Sequence, residues 1–207
     1  MGEYHFAIDY YQNRLDNLSD NDDYYRAIYL NNLGVCYNEI EKKDEALKQY
    51  RAASLIYKQM NDHQGLGACY HNIASYYYNL GDNESALRWT LDALQERQRY
   101  PLEKASTFDL LGCIQLAKYD AEAASHNLRH ALKIRLKYLG QSNPNHPDIG
   151  MSYRNLGRLD CKLSSLIDAQ NNFLRAEQIF HQNYPKSHPL VIEIRRYLED
   201  VERQLSK

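Results

Sequence analysis

Four stretches of this chain share one spacing: NNLGVCYNEIEKKDEALKQYRAA, HNIASYYYNLGDNESALRWTLDA, DLLGCIQLAKYDAEAASHNLRHA and RNLGRLDCKLSSLIDAQNNFLRA. In each, a large apolar residue and a Gly or Ala stand 13 and 12 positions ahead of an Ala. These are Leu33-Gly34 with Ala46, Ile73-Ala74 with Ala86, Leu111-Gly112 with Ala124, and Leu156-Gly157 with Ala169. A bulky residue follows four positions later in three of them (Tyr50, Leu128, Phe173), with Thr90 as the exception. A second Ala then recurs in all four: Ala53, Ala93, Ala131 and Ala176. Self-similarity at a fixed period constrains a fold more than any composition does.

Two antiparallel helices satisfy that spacing. Small residues let the backbones approach, and large ones fill the space between the paired helices and the next pair. Apolar positions recur at three and four, as on an amphipathic helix. No run of alternating β-branched residues bounded by turns reads as a strand. The reading is all-α.

The pattern resembles the tetratricopeptide repeat, in the long form of kinesin light chains, nephrocystin-type proteins and spindle-orientation adaptors. The period, 38 to 45 residues between the first alanines, exceeds the usual length of about 34. ALKIRLKYLGQSNPNHPDIGMSYRNLG looks most like the kinesin light chain version. The resemblance implies a right-handed α-solenoid of antiparallel helix hairpins over residues 1–207. Its parts are a half repeat (1–20), four repeats (24–60, 64–100, 102–140, 147–184) and a C-terminal capping helix (188–207).

Prolines punctuate these units. Pro101, Pro144, Pro147, Pro185 and Pro189 all fall between repeats, as expected of a residue that costs about 3 kcal/mol inside a helix but suits its first turn. The pairs His146-Pro147 and His188-Pro189 mark where one helical pair stops and the next starts. Gly140 is expected to end a helix as a left-handed cap. At the N-terminus, Ala7 and Tyr11 match the small and bulky positions of a second helix, with Arg14 in place of the second Ala. The expectation is a fragment of a longer solenoid, or an unusual start. Near the other end Glu199 stands where Gly157 stood, and the charged C-terminal half reads as a terminal helix facing water.

The chain has 207 residues and a formal net charge of −2, against the strongly basic face of a bulk nucleic-acid binder. No apolar run approaches the length of a membrane span, and MGEYHFAIDYYQNR has neither region of a signal peptide. Cys36, Cys69, Cys113 and Cys161 form no CxxC pair and read as free thiols, most of them buried, in a reducing cytoplasm. The 19 tyrosines read chiefly as core, with Tyr37, Tyr50 and Tyr77 between helices.

No phosphate loop, dinucleotide fingerprint, GxSxG or HExxH occurs. His126 and His130 have a metal-sharing spacing without a third ligand, on an outer face. No catalytic residue, metal or cofactor is expected. What the resemblance implies instead is a concave groove, lined by the first helix of each pair, that takes a peptide segment of a partner. Its expected positions are Asn31, Val35 and Asn38; His71, Ser75 and Tyr78; Asp109 and Cys113; and Arg154, Arg158 and Lys162. Asn32, Asn72 and Asn155 recur just before the apolar-small pair, and amides can both donate to and accept from a peptide backbone. A full carboxylate clamp is not expected, because Val35 and Ser75 stand where that subfamily needs Asn.

Charge is uneven: residues 1–50 hold 5 Lys/Arg against 10 Asp/Glu, and residues 126–207 hold 13 against 8. Such a gradient can orient a charged partner, in a salt-sensitive way, or promote head-to-tail self-association through the solenoid ends. Arg154, Arg158 and Lys162 share one stripe and point to an acidic ligand, unless Asp160 or Glu193 neutralises them internally. Asp160, expected to be buried, calls for a basic or hydroxyl partner. The reading is a cytoplasmic protein–protein interaction scaffold with no nucleic acid or membrane partner. The alternative is a regulatory or anchoring segment of a larger multidomain protein.

Overall fold

A computed structural model describes residues 2–19 and 21–206. Met1, residue 20 of the half repeat and Lys207 of the cap lie outside the described residues. Ten α-helices and no strand are found among the described residues: α1 (Gly2–Asp16), α2 (Asp23–Glu39), α3 (Lys43–Gln59), α4 (His63–Asn79), α5 (Asn83–Glu96), α6 (Pro101–Ala117), α7 (Ala121–Tyr138), α8 (Pro147–Lys162), α9 (Leu166–Asn183) and α10 (Pro189–Leu205). They pack as two compact units, residues 1–103 and 104–207.

The turns between helices follow one recipe. Glu41, Asn61, Gly81, Tyr119 and Ser164 each sit at positive φ, between +55° and +80°, in the middle of a three-residue connection. The next residue closes each turn: Lys42, Asp62, Asp82, Asp120 and Ser165 donate their backbone N–H to the carbonyl five residues back at 2.9–3.0 Å. A left-handed residue followed by this long bond is the Schellman ending of a helix. Asp62, Asp82 and Asp120 then cap the following helix, each accepting a backbone N–H at 3.0 Å. One aspartate thus closes one helix and opens the next.

Gly140 departs from expectation. Among the described glycines only Gly81 has a positive φ. The stretch after α7 leads into α8 through residues 139–146, and Gly140 donates to the Arg135 carbonyl at 3.2 Å without entering the left-handed region. The His-Pro pairs do start helices. His146 and His188 are N-caps whose Nδ1 accepts the N–H of Asp148 (3.2 Å) and Leu190 (3.3 Å), and Pro147 and Pro189 occupy the first turn, where their missing N–H costs nothing.

The recurring small residue is where paired helices meet. A Cβ added at Gly34 would lie 2.6 Å from the Tyr50 ring, at Gly112 2.6 Å from Leu128, and at Gly157 2.5 Å from Phe173. Each pair is separated by 16 residues. The second repeat has Ala74 in place of Gly, and Thr90 in place of the bulky residue. Both are fully buried, and the Thr90 hydroxyl donates to the Ala86 carbonyl at 2.7 Å. The Ala methyl occupies space that a ring or isobutyl group fills elsewhere, so Thr90 is compensation. In the last helix, Val191, Ile194, Leu198 and Val201 are buried while Glu199 is exposed.

Candidate functional site

The first helices of the pairs carry the expected groove positions, and packing has already used several of them. In the first unit, Asn72 Nδ2 on α4 donates to Asn31 Oδ1 on α2 at 3.1 Å, and the Cys69 thiol reaches the same oxygen at 3.6 Å. The recurring asparagine therefore joins successive first helices. Burial pushes the Cys69 thiol up to about 12, so it is a neutral hydrogen-bond donor. All four cysteines are free, with Cys36 and Cys69 buried and Cys113 and Cys161 half-buried.

The second unit repeats this theme with charges. Asp109, at the α6 position equivalent to Asn31, is 7% exposed and so lines no open groove. Its Oδ2 is ion-paired with Arg135 of α7, which also donates to Ser152 of α8 and to Ser106 of α6. Asn155, itself buried, lies against Asp109 as Asn72 lies against Asn31. Burial pushes the Asp109 carboxyl up, and Arg135, ahead of Asn155, pulls it back. A buried ion pair is stable only when such partners compensate desolvation. Periodicity places Asp109 correctly on the helix but gives no sign of Arg135, whose partner lies 26 residues away.

The α8 stripe is divided. Arg154 is neutralised internally, through Glu193 of α10 at 3.1 Å, and its second nitrogen donates to Asn155 at 3.3 Å. Arg158 is half-buried beside Cys113 and Tyr197, where its charge opposes the upward push of burial on both. Lys162 is exposed. Asp160 is buried as expected, but its partner is an amide: Asn172 Nδ2 donates to its Oδ2 at 2.7 Å. A neutral donor leaves burial dominant, and the Asp160 carboxyl is raised.

The remaining positions keep solvent contact. Val35 is 39% exposed although Leu33, Gly34 and Cys36 around it are buried, and Asn32, Asn38, His71, Ser75 and Tyr78 are half-buried. Tyr37 and Tyr77 are also half-buried, with hydroxyls accepting from Gln12 and Arg51 at 2.8 Å each. His126 and His130 are both exposed, with ring centroids 6.2 Å apart; among the described residues no three His, Cys, Asp or Glu gather as a metal site. No described helix is long and apolar enough to cross a membrane.

The core reading of the tyrosines needs correction. Among the described ones, Tyr50, Tyr57 and Tyr76 are buried, whereas Tyr4, Tyr10, Tyr24, Tyr25, Tyr119 and Tyr138 are exposed. Several are adjacent at α1 and α2, which periodicity alone does not reveal because the rings lie outside the repeating core positions.

By sequence, no curated protein matches the chain. A family model described as tetratricopeptide repeat matches residues 66–100. The crystal structure of BtubC (BKLC) from P. vanneervenii is similar with a TM-score of 0.79 and 17% identity, over 98% of this chain and 84% of that one. A kinesin light chain structure from Podosopora anserina, with nearly identical TPR-like repeats, gives 0.61 at 16% identity, over 89% and 90%. The apo form of RapI gives 0.73 at 16% identity, over 99% of this chain and 59% of RapI. The chain carries a tetratricopeptide repeat and has the helical-hairpin fold of tetratricopeptide-repeat proteins.

Proposed function

We propose that the chain is a non-catalytic interaction module that holds a peptide segment of a protein partner along the first helices of its pairs. The observation that carries this reading is the open stripe on α2 and α4. Val35, with Asn32, Asn38, Ser75 and Tyr78, remains accessible beside the buried Leu33, Gly34, Ile73 and Ala74. A stripe mixing amides, a hydroxyl, an aromatic ring and one aliphatic group suits a peptide backbone with an apolar anchor. In the second unit, Arg158 and Lys162 give α8 a cationic end that suits an acidic segment. Arg154 is already paired with Glu193 of α10 at 3.1 Å. The four free thiols support a reducing, cytoplasmic setting.

The test is capture of an acidic partner peptide by the full chain. Arg158→Glu with Lys162→Glu should weaken capture at least about tenfold while helical content is unchanged, as expected when two charge-assisted contacts are reversed. His126→Ala with His130→Ala, on an exposed face, should leave capture unchanged. The opposite pattern would place binding on the outer helices and refute the assignment.

A further inference from the structure

At the α1–α2 edge of the first unit, tyrosines form a connected surface instead of a core. Tyr10 meets Tyr11 edge-on at 5.3 Å, Tyr11 meets Tyr29 at 6.1 Å, Tyr29 stacks on Tyr25 at 6.2 Å, and Tyr25 meets Tyr24 at 5.7 Å. Tyr10, Tyr24 and Tyr25 are each about half exposed, and Phe6 on α1 is 77% exposed. Exposed aromatic rings joined in this way are an interaction signature, unlike single scattered apolar residues.

The repeat register shows how unusual this edge is. Leu33 of α2 corresponds to Ile73 of α4, so Tyr29 holds the position of Cys69. In α4 that position is fully buried and reaches Asn31 of the preceding first helix. Close helix approach in this fold relies on small residues, as at Gly34 against Tyr50. A tyrosine at position 29 stands where the equivalent positions of the later first helices hold the smaller Cys69, Thr107 and Ser152. A thinner, extended segment can instead lie across the rings, as polyproline-type ligands do on aromatic-lined surfaces.

The charge selects the occupant. Residues 1–31 contain six carboxylates and two arginines. Both arginines are engaged: Arg26 with Asp23 at 3.9 Å and the Ser19 carbonyl at 3.3 Å, and Arg14 with Tyr10. The second pairing displays the recognition chemistry. The Arg14 guanidinium lies 5.5 Å from the Tyr10 ring centroid while its Nε donates to the Tyr10 hydroxyl at 3.2 Å. Glu3, Asp9 and Asp16 are exposed along the same helix. Tyrosine faces attract guanidinium groups, and surrounding carboxylates add long-range attraction.

We infer that this aromatic edge docks an extended, arginine-bearing segment of a partner protein. The surface shares α2 with part of the first-helix stripe, but its cationic probe and its tyrosine variants distinguish its failure from that of the acidic-peptide reading. The probe is a labelled peptide of about ten alternating arginine and proline residues, chosen for its polyproline geometry, followed by fluorescence polarisation on the full chain. Saturable binding is expected, with at least about tenfold loss in Tyr10→Ala/Tyr25→Ala and retention in Tyr10→Phe/Tyr25→Phe, because the ring carries the attraction. A lysine–proline peptide should bind several-fold more weakly. Raising salt from about 150 to about 500 mM should weaken the arginine peptide several-fold. Arg158→Glu/Lys162→Glu should not affect it. Absence of saturable binding would overturn the assignment, as would equal affinity in the alanine variant. Sedimentation showing dimers that the alanine variant dissociates, with no peptide binding, would assign the edge to a second copy and overturn it equally.

Discussion

The interlock of small and bulky residues can be tested by rewriting the fourth repeat in the manner of the second. In Gly157→Ala, the new methyl would stand 2.5, 2.6 and 2.9 Å from three atoms of the Phe173 ring. Carbon atoms pack best near 3.5–4.0 Å, so the ring must retreat by about 1 Å. Little room exists for that, because Phe173 is fully buried and stacks on Tyr197 at 5.0 Å with an interplanar angle of 12°. Overpacking of this kind costs about 1–3 kcal/mol. Replacing Gly by Ala in a helix returns about 0.5–1 kcal/mol, so the net cost should be about 1 kcal/mol or somewhat more. Phe173→Thr alone should cost about 3 kcal/mol, from lost burial and the cavity it leaves. The double variant restores the Ala74–Thr90 arrangement, and the two changes should couple favourably by about 1 kcal/mol or more. Urea denaturation of all four proteins, followed by circular dichroism, measures the cycle. Strict additivity, or a Gly157→Ala variant more stable than the parent, would refute the account of the repeat spacing.

Arg135→Met should be among the most damaging single changes, at about 3–5 kcal/mol in chemical denaturation, because it leaves the Asp109 carboxylate buried without its cation. Tyr119→Gly should stabilise by about 0.5–1 kcal/mol in thermal denaturation, since a side chain at a left-handed position costs about 1–2 kcal/mol and the looser unfolded chain returns part of that; Gly81→Ala should show the opposite sign. Asp160 titrates above the usual carboxylate range because of burial, so the folded state holds its proton to higher pH than the unfolded chain does. The neutral form's stabilisation is complete below the unfolded value, about pH 4, and is lost as pH rises through the folded value. Asp160→Asn should raise the melting temperature at pH 7 and flatten that decline; a variant profile parallel to the parent's would count against it.

Spacing alone located the helical pairs because each small–bulky contact is set by a fixed separation along the chain. The residue types at the turns were less legible. Glu41, Tyr119 and Ser164 avoid the left-handed region by preference, and only the geometry of the three-residue connection forces them into it. Gly140 misled for the converse reason: glycine permits a positive φ without requiring it. The groove suffered from a different limitation. Asn72, Asn155 and Asp109 stand on the expected helices, yet their partners are Asn31 and the Arg135 network, reached across helices. A periodic pattern assigns a residue to a face but does not say whether a neighbouring helix has already claimed it.

The same geometry accounts for the length of the repeat. From α2 to the end of α4, each helix has 17 residues and each connection three, and the left-handed residues Glu41, Asn61 and Gly81 fall 20 apart. Two such units give 40 residues, against about 34 for the usual repeat. The excess is about three residues per helix, nearly one turn, or about 4.5 Å of additional helix. That extra turn lengthens each helix from α2 to α4 without altering the 16-residue spacing of the interlock. Val35 and Asn38 lie on the C-terminal side of Gly34, and Ser75 and Tyr78 lie beyond Ala74 in the same way. Of the accessible positions, Val35, Asn38, Ser75 and Tyr78 follow the packing contact, while Asn32 precedes it by two residues. Selection can vary them without disturbing Gly34 against Tyr50 or the buried Ala74 and Thr90 that hold the equivalent positions. Residues that hold the fold and residues left accessible thus alternate around the same helices, as Asn32 and Val35 do on either side of the buried Leu33 and Gly34.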